Sequence, residues 1–343
     1  MAKAYINGVE INKFVVDGGG SSGGGTVEGL DWSQIGYDET PSDIVEAYNY
    51  ALDIKNNWDY SNTNYRRAFS GDTSVIYFPV LNNAKITNAE QMFQSSKLRF
   101  FSFEGLDTSE LTNAKQMFMY SDVREINIGA ADLSKVTEIS NMCYGCYNLQ
   151  DFDMTKFNSN IIREYDGLFY ACSKLKSINF TGLNFNLTKT YNGFYGSFYE
   201  WLYNVSAKLI MDNVTTSEVT NYRGMFYGYK GNELDLSSFD MSSATIVDMM
   251  FDACSNLQKL KMNNFINSNA ITSVSFSSAP KLGVNSADIP DARQALIDTF
   301  VYNSFDRVSA GYVSCTLNFS STTKALFTDD EIAQMTSKGF TIA

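Results

Sequence analysis

Two apolar patterns alternate along most of this chain. The first is a compact cluster in which a polar residue precedes a paired Met-Phe or its equivalent: Asn64 before Phe69, Asn88 before Met92-Phe93, Asn113 before Met117-Phe118, Glu138 before Met142-Cys143. It continues with Glu164 before Leu168-Phe169, Thr190 before Phe194-Tyr195, Asn221 before Met225-Phe226, Val247 before Met250-Phe251 and Ile271 before Ser275-Phe276. Anchor positions 69, 93, 118, 143, 169, 195, 226, 251 and 276 are separated by 24, 25, 25, 26, 26, 31, 25 and 25 residues, a regularity that defines a repeat of about nine units. The second pattern follows each anchor and reads Leu-x-x-Leu-x-Leu, as in Leu98…Phe101-Ser102-Phe103, Val123…Ile126-Asn127-Ile128 and Leu149…Phe152-Asp153-Met154. Its last three positions alternate, which predicts a short strand with one buried face. Polar turns such as Asp107-Thr108-Ser109 then return the chain. No unit can bury its own apolar face, so the expected architecture is an α/β repeat, a solenoid of stacked short parallel strands over a ladder of Met and Phe side chains.

The flanks break the period. Residues 1–16 alternate around Asn7-Gly8 and predict a β-hairpin, and residues 17–26 form a Gly/Ser linker. An attachment device and a leader of no consequence are both open for that segment. Residues 27–63 read as an N-terminal cap, with Ile44, Ala47, Tyr48, Ala51 and Ile54 at helical spacing over roughly 42–56. Residues 64–285 are the solenoid. Residues 286–343 read as a C-terminal cap, with a helix near 289–302, a strand at 313–319 and a last helix near 328–337.

Composition narrows the function classes. The net charge is −12, which opposes binding to nucleic acid, and there is no histidine, which removes the commonest general base and transition-metal ligand. No run approaches 18 apolar residues, so no membrane insertion is expected, and the N-terminus has no signal-peptide pattern. Cys143-Tyr144-Gly145-Cys146 is a CxxC. However, Cys146, Cys172 and Cys254 share one repeat position, three after the anchor, and Cys143 replaces an anchor Phe, so these thiols read as core. Five cysteines, an odd number, argue against a disulfide framework, and no metal or cofactor is expected.

Phe251-Asp252-Ala253-Cys254-Ser255-Asn256-Leu257 and Phe169-Tyr170-Ala171-Cys172-Ser173-Lys174-Leu175, with the preceding Asn-x-x-x-Met-Phe, resemble BspA-like leucine-rich repeats over about 64–285. Trp32-Ser33-Gln34-Ile35-Gly36-Tyr37 and the segment 328–343 are similar to the terminal caps of such proteins from gut Bacteroidales and their phages. The resemblance implies surface or virion binding proteins with helical caps and no shared catalytic residues.

Two groups of residues are candidates for ligand binding. Glu125, Asn127, Asp151, Asp153, Asn179, Glu233 and Asp235 flank the buried strand positions and should point outward as an acidic, polar ladder, one rung per unit. Such a flat face offers no desolvated carboxylate pair of the kind glycoside hydrolysis needs. The long unit carries Phe198, Tyr199, Trp201 and Tyr203, which either bulge outward as a recognition element or fold back onto the core. The expected function is non-enzymatic: a phage virion fibre or decoration protein that binds a host-surface protein or glycan. Residues 1–16 would contact a virion or surface-anchoring protein, and a homo-oligomer is possible. A bacterial cell-surface adhesin is the alternative, placing the chain on the cell rather than the virion.

Overall fold

The computed structural model describes residues 5–6, 9–10, 41–158, 161–162, 165–185 and 202–343. Tyr5–Ile6 pairs antiparallel with Val9–Glu10. The helix Pro41–Asn56 opens on a proline, which suits a first-turn position whose N–H would lack an intrahelical partner. Ala47, Ala51 and Ile54 are buried, and Ile54 joins the core of the repeats.

From residue 64 the chain repeats one backbone path at intervals of about 25 residues, building short parallel strand pairs. Phe100–Ser102 pairs with Glu125–Asn127, Asp151–Asp153 pairs with Ser177–Asn179, and that strand pairs in turn with Lys208–Ile210. Glu233–Leu236 pairs with Lys259–Met262. Strands of three or four residues are too short to be stable singly, and they persist because each is hydrogen-bonded to its equivalent in the next unit. A second ladder runs through the anchor segments. The N–H of Phe69, Phe93, Phe118, Cys143 and Phe226 donates to the carbonyl of Met92, Met117, Met142, Leu168 and Met250, at 2.8–3.0 Å. Inside this ladder the anchor rings stack, Phe69 on Phe93 at 5.4 Å and Phe93 on Phe118 at 5.9 Å, and again Phe226 on Phe251 at 5.8 Å. Where an asparagine opens the cluster, it shapes the backbone. The side-chain oxygens of Asn64, Asn88, Asn113 and Asn221 accept the N–H two residues on, which starts the turn toward the anchor.

Two left-handed residues bracket each of the described anchors 69, 93, 118, 143, 169, 226 and 251. Two places before it stand Arg67, Gln91, Gln116, Asn141, Gly167, Gly224 and Met249; two places after it stand Gly71, Ser95, Tyr120, Gly145, Ala171, Gly228 and Ala253, with Asn204 in the long unit. Every one has φ between +56° and +73°. The repeat imposes this conformation whether or not glycine is present, at a cost of roughly 1–2 kcal/mol for each residue with a Cβ.

The period departs from expectation at its end. Phe276 continues the ring stack, 4.9 Å from Phe251, but its backbone lies in the strand Ser273–Phe276 rather than in an anchor turn. That strand pairs with Cys315–Phe319, which pairs with Phe340–Ile342. The ninth anchor therefore keeps the side-chain pattern while its backbone is recruited by the chain end. The helix expected near 289–302 is Ala292–Ile297 followed by a wider π-turn, Asp298–Tyr302. The last helix, Asp329–Ser337, is closed by a capping box between Thr328 and Glu331.

Arg307 closes this end of the repeats. It is fully buried, and its guanidinium donates to the carbonyls of Ile266, Ser268, Ile271 and Val313 at 2.8–3.0 Å. It thus supplies N–H groups to the last coil where the preceding coils use the next unit. Tyr312 and Phe340 lie against it as aromatic partners.

Two expected outcomes test this backbone account. Ala253→Gly should raise stability by about 1 kcal/mol, and Gly71→Ala, which meets no neighbouring atom, should lower it by a similar amount; urea midpoints read both. Arg307→Met should cost about 3 kcal/mol or more, with amide exchange rising first across residues 313–319 and 340–342.

Candidate binding surface

The outward strand positions line an open depression of about 800 Å³. Glu125, Asn127, Asp151, Asp153 and Asn179 all line it, so five of the seven strand-face candidates come together. Glu233 and Asp235 do not: they lie beyond the Lys208–Ile210 rung and are matched by the next strand, Glu233 with Lys259 at 3.3 Å and Asp235 with Lys261 at 3.5 Å. Lys259 also reaches Asp291 at 2.7 Å, which ties the strand face to the C-terminal cap.

The face is not the acidic ladder expected. Arg99, Arg124 and Lys156 line the same depression, with Gln150, Ser177 and a floor that includes Phe100, Ile126 and Phe152. Arg99 and Arg124 precede the alternating triplet and Lys156 follows it, so the triplet pattern alone does not reveal these cations. Arg124 N–H donates to the Arg99 carbonyl at 2.7 Å and Gln150 N–H to the Arg124 carbonyl at 3.1 Å, so this preceding residue is part of the same ladder.

Several candidates also serve the fold. Asp153, Asn179 and Asp235 each accept the N–H two residues on, from Thr155, Thr181 and Ser237 at 2.9–3.1 Å, ending their strands in a tight turn. Asp151 accepts the Ser177 hydroxyl at 2.7 Å across the rung. Phe198, Tyr199 and Trp201 lie outside the described residues. Tyr203 is described and is half-buried, stacked between Tyr170 at 4.9 Å and Tyr227 at 5.7 Å. It belongs to a row along the anchor side rather than to a separate protrusion.

The cysteines are core. All five are free and buried. The Sγ–H of Cys146, Cys172 and Cys254 donates to the carbonyl of Phe118, Cys143 and Phe226, each at 3.0 Å, which explains a thiol three places after the anchor. Burial pushes Cys143 and Cys172 well above the usual thiol range, Cys254 to about 12 and Cys315 to about 11. Among the described residues, no group of three or more Cys, Asp or Glu side chains is placed to hold a metal ion, and no helix is long and apolar enough to cross a membrane.

Short parallel strands stacked at a fixed interval, with one residue pattern serving every rung, define a tandem-repeat protein. The chain belongs to the family described as Mycoplasma protein of unknown function, DUF285, whose sequence model matches residues 87–198 and again 196–288. The two matches meet within the long unit, and the family fits a BspA-like repeat protein loosely. No curated protein and no solved structure matches the chain.

The thiol environment gives a direct test. A maleimide reagent at pH 8 should label none of the five cysteines in the native protein and all five after denaturation. Because Cys254 and Cys315 titrate in the folded chain above their unfolded value of 9.0, their contribution to stability is complete below pH 9 and should fall as pH rises through 11 to 12. Urea midpoints at pH 8, 9.5 and 11 follow it.

Proposed function

We propose that this chain is a leucine-rich-repeat-type solenoid that binds a ligand on its strand face and carries out no reaction. The observation that carries this reading is the open depression, whose lining mixes cations, carboxylates and amides across its rungs. Side chains on such a face are displayed by a backbone already fixed by the rung hydrogen bonds, so binding costs little ordering. Mixed charge suits a polar ligand held by several directional contacts, a host-surface glycan or protein. In this reading the chain is a virion fibre or decoration protein held to its particle through residues 1–16, and a homo-oligomer would multiply the weak single-site affinity. The alternative, a bacterial cell-surface adhesin, is favoured by the family's description from a cellular bacterium.

Arrays of host-surface glycans and proteins, probed with the full chain, test the binding reading. Arg124→Ala and Asp151→Ala should each weaken the strongest signal about tenfold, on the order of 1–2 kcal/mol, with an unchanged melting temperature. Turnover of an array glycan that is lost in Asp151→Ala or Asp153→Ala would overturn it. Immunogold labelling of particles and of cells separates the virion and adhesin readings.

A further inference from the structure

The strand depression continues past the strands. A second open depression, of about 520 Å³, lies over the turns that leave them. Asn127 and Gly129 line both, so the two meet there as one bent groove, and the residues that line it all lie in the described part of the chain. Its halves differ in charge. The strand half mixes Arg99, Arg124 and Lys156 with Glu125, Asp151 and Asp153. The turn half is lined by Glu104, Asp107 and Asp132 and by no Lys or Arg. Asp107 and Asp132 each commit one oxygen to the N–H two residues on, from Ser109 and Ser134 at 3.1 and 3.0 Å. Among the described residues none of the three carboxylates is in an ion pair, although Lys85 lies within electrostatic range of Asp107.

Asn127, at the bend, departs from the repeat. Ser102, Asp153, Asn179 and Asp235 hold the same strand position, and each accepts the N–H two residues on, at 2.9–3.1 Å. Asn127 does not. Its side chain is exposed and makes no hydrogen bond among the described residues, and the residue two places on is Gly129, at φ +50°. A carboxamide presents a carbonyl acceptor and N–H donors in one plane, the same pair of groups as a peptide unit. Gly129 adds no side chain beside it, so another backbone can approach closely. The aromatic rings that line the groove, Phe100, Phe103 and Phe152, are all buried, so a sugar ring would find no open face to stack on.

We propose that the bent groove docks an extended polypeptide segment of a partner protein, with Asn127 hydrogen-bonded to its main chain at the bend and basic side chains seated over Glu104, Asp107 and Asp132. The inference rests on the reading of the strand face as a binding surface and gives that surface a polypeptide rather than a glycan. Charge complementarity selects the segment: three carboxylates without a cation among them attract Lys or Arg and turn away acidic chains. In an extended segment alternate side chains share a face, so basic residues two apart reach the turn half together while the main chain between them stays on the groove. The mixed charges of the strand half then receive the polar remainder of the segment.

Fluorescence anisotropy of labelled, end-blocked heptapeptides with the full chain tests the proposal. The first peptide carries lysine at its first and third positions and serine or threonine elsewhere. The second has that order reversed, and the third carries glutamate in place of lysine. At least one lysine peptide should bind at millimolar concentration or below, and the glutamate peptide should not. Asn127→Ala should weaken binding about tenfold, as loss of a main-chain hydrogen bond does. Glu104→Gln should weaken it severalfold, and so should added salt. Both variants should melt with the parent chain, since neither side chain is hydrogen-bonded within the described fold. Failure of both lysine peptides, equal binding of the glutamate peptide, binding indifferent to Asn127→Ala and Glu104→Gln, or tighter binding of hexaglucosamine, a cationic glycan, would overturn it. Where the lysine peptides fail while array binding still falls with Asp151→Ala, this inference is lost and the strand-face reading stands.

Discussion

The structure depends on one constraint: each coil satisfies its backbone through its neighbours. The N–H of an anchor residue finds its acceptor about 25 residues later, and the strand triplets pair only with their equivalents in adjacent units. A coil whose path differed from its neighbour's would leave buried donors and acceptors unmatched, at about 1–3 kcal/mol each. The requirement for matching paths explains the fixed interval, the two left-handed residues around seven of the described anchors and the asparagines that initiate the turn. It also explains the ends. At residue 276 the stack of rings passes to Phe319, 5.4 Å away on the paired strand, and the anchor turn is not repeated. The carbonyls left behind are met by the guanidinium of Arg307, while the strand Ser273–Phe276 is paired by the chain terminus.

The same constraint separates side chains by role. On the inner side, shape decides, so Phe, Met and Cys recur. The thiols are chosen for a short reach to the carbonyl one coil back, and a CxxC arises where one cysteine replaces an anchor and another fills the recurrent donor place. On the outer strand face the backbone does the pairing and side chains are less restricted. Arg, Lys, Asp, Glu, Ser and Asn all occur there on successive rungs, and the opposite charges of Glu233 and Lys259 or Asp235 and Lys261 meet between rungs.

Much of this was legible in the sequence because period and burial are tied. Met117-Phe118 and Leu149…Phe152-Asp153-Met154 announce buried faces by their spacing, and the helices expected over roughly 42–56 and near 328–337 follow local rules. What was not legible depends on which backbone accompanies a pattern. Phe276 has the spacing of an anchor and the conformation of a strand, since its partner, Cys315–Phe319, is about 40 residues away. The strand face looked acidic because only the alternating triplet was counted, although Arg99 and Arg124 stand on the adjoining rung position. Tyr203 read as part of an insertion, because a 31-residue step hides that its ring re-enters a stack begun at Tyr120.

A repeat also provides its own control for recognising function. Seven other described units show what the second left-handed position accepts when only the fold is at stake: Gly, Ala, Ser or Asn. Against that background Tyr120 departs from the pattern, with its ring packed over Gly145 and against Tyr144. The strand-face residues Asp153 and Asn179 carry less information on this point, since accepting a backbone N–H two residues on accounts for their side chains without a ligand. Asp151 lies between these cases, because its hydrogen bond to Ser177 joins two rungs but is not required by either strand. Departures from the internal pattern are therefore stronger indicators of a binding role than polarity on an exposed face.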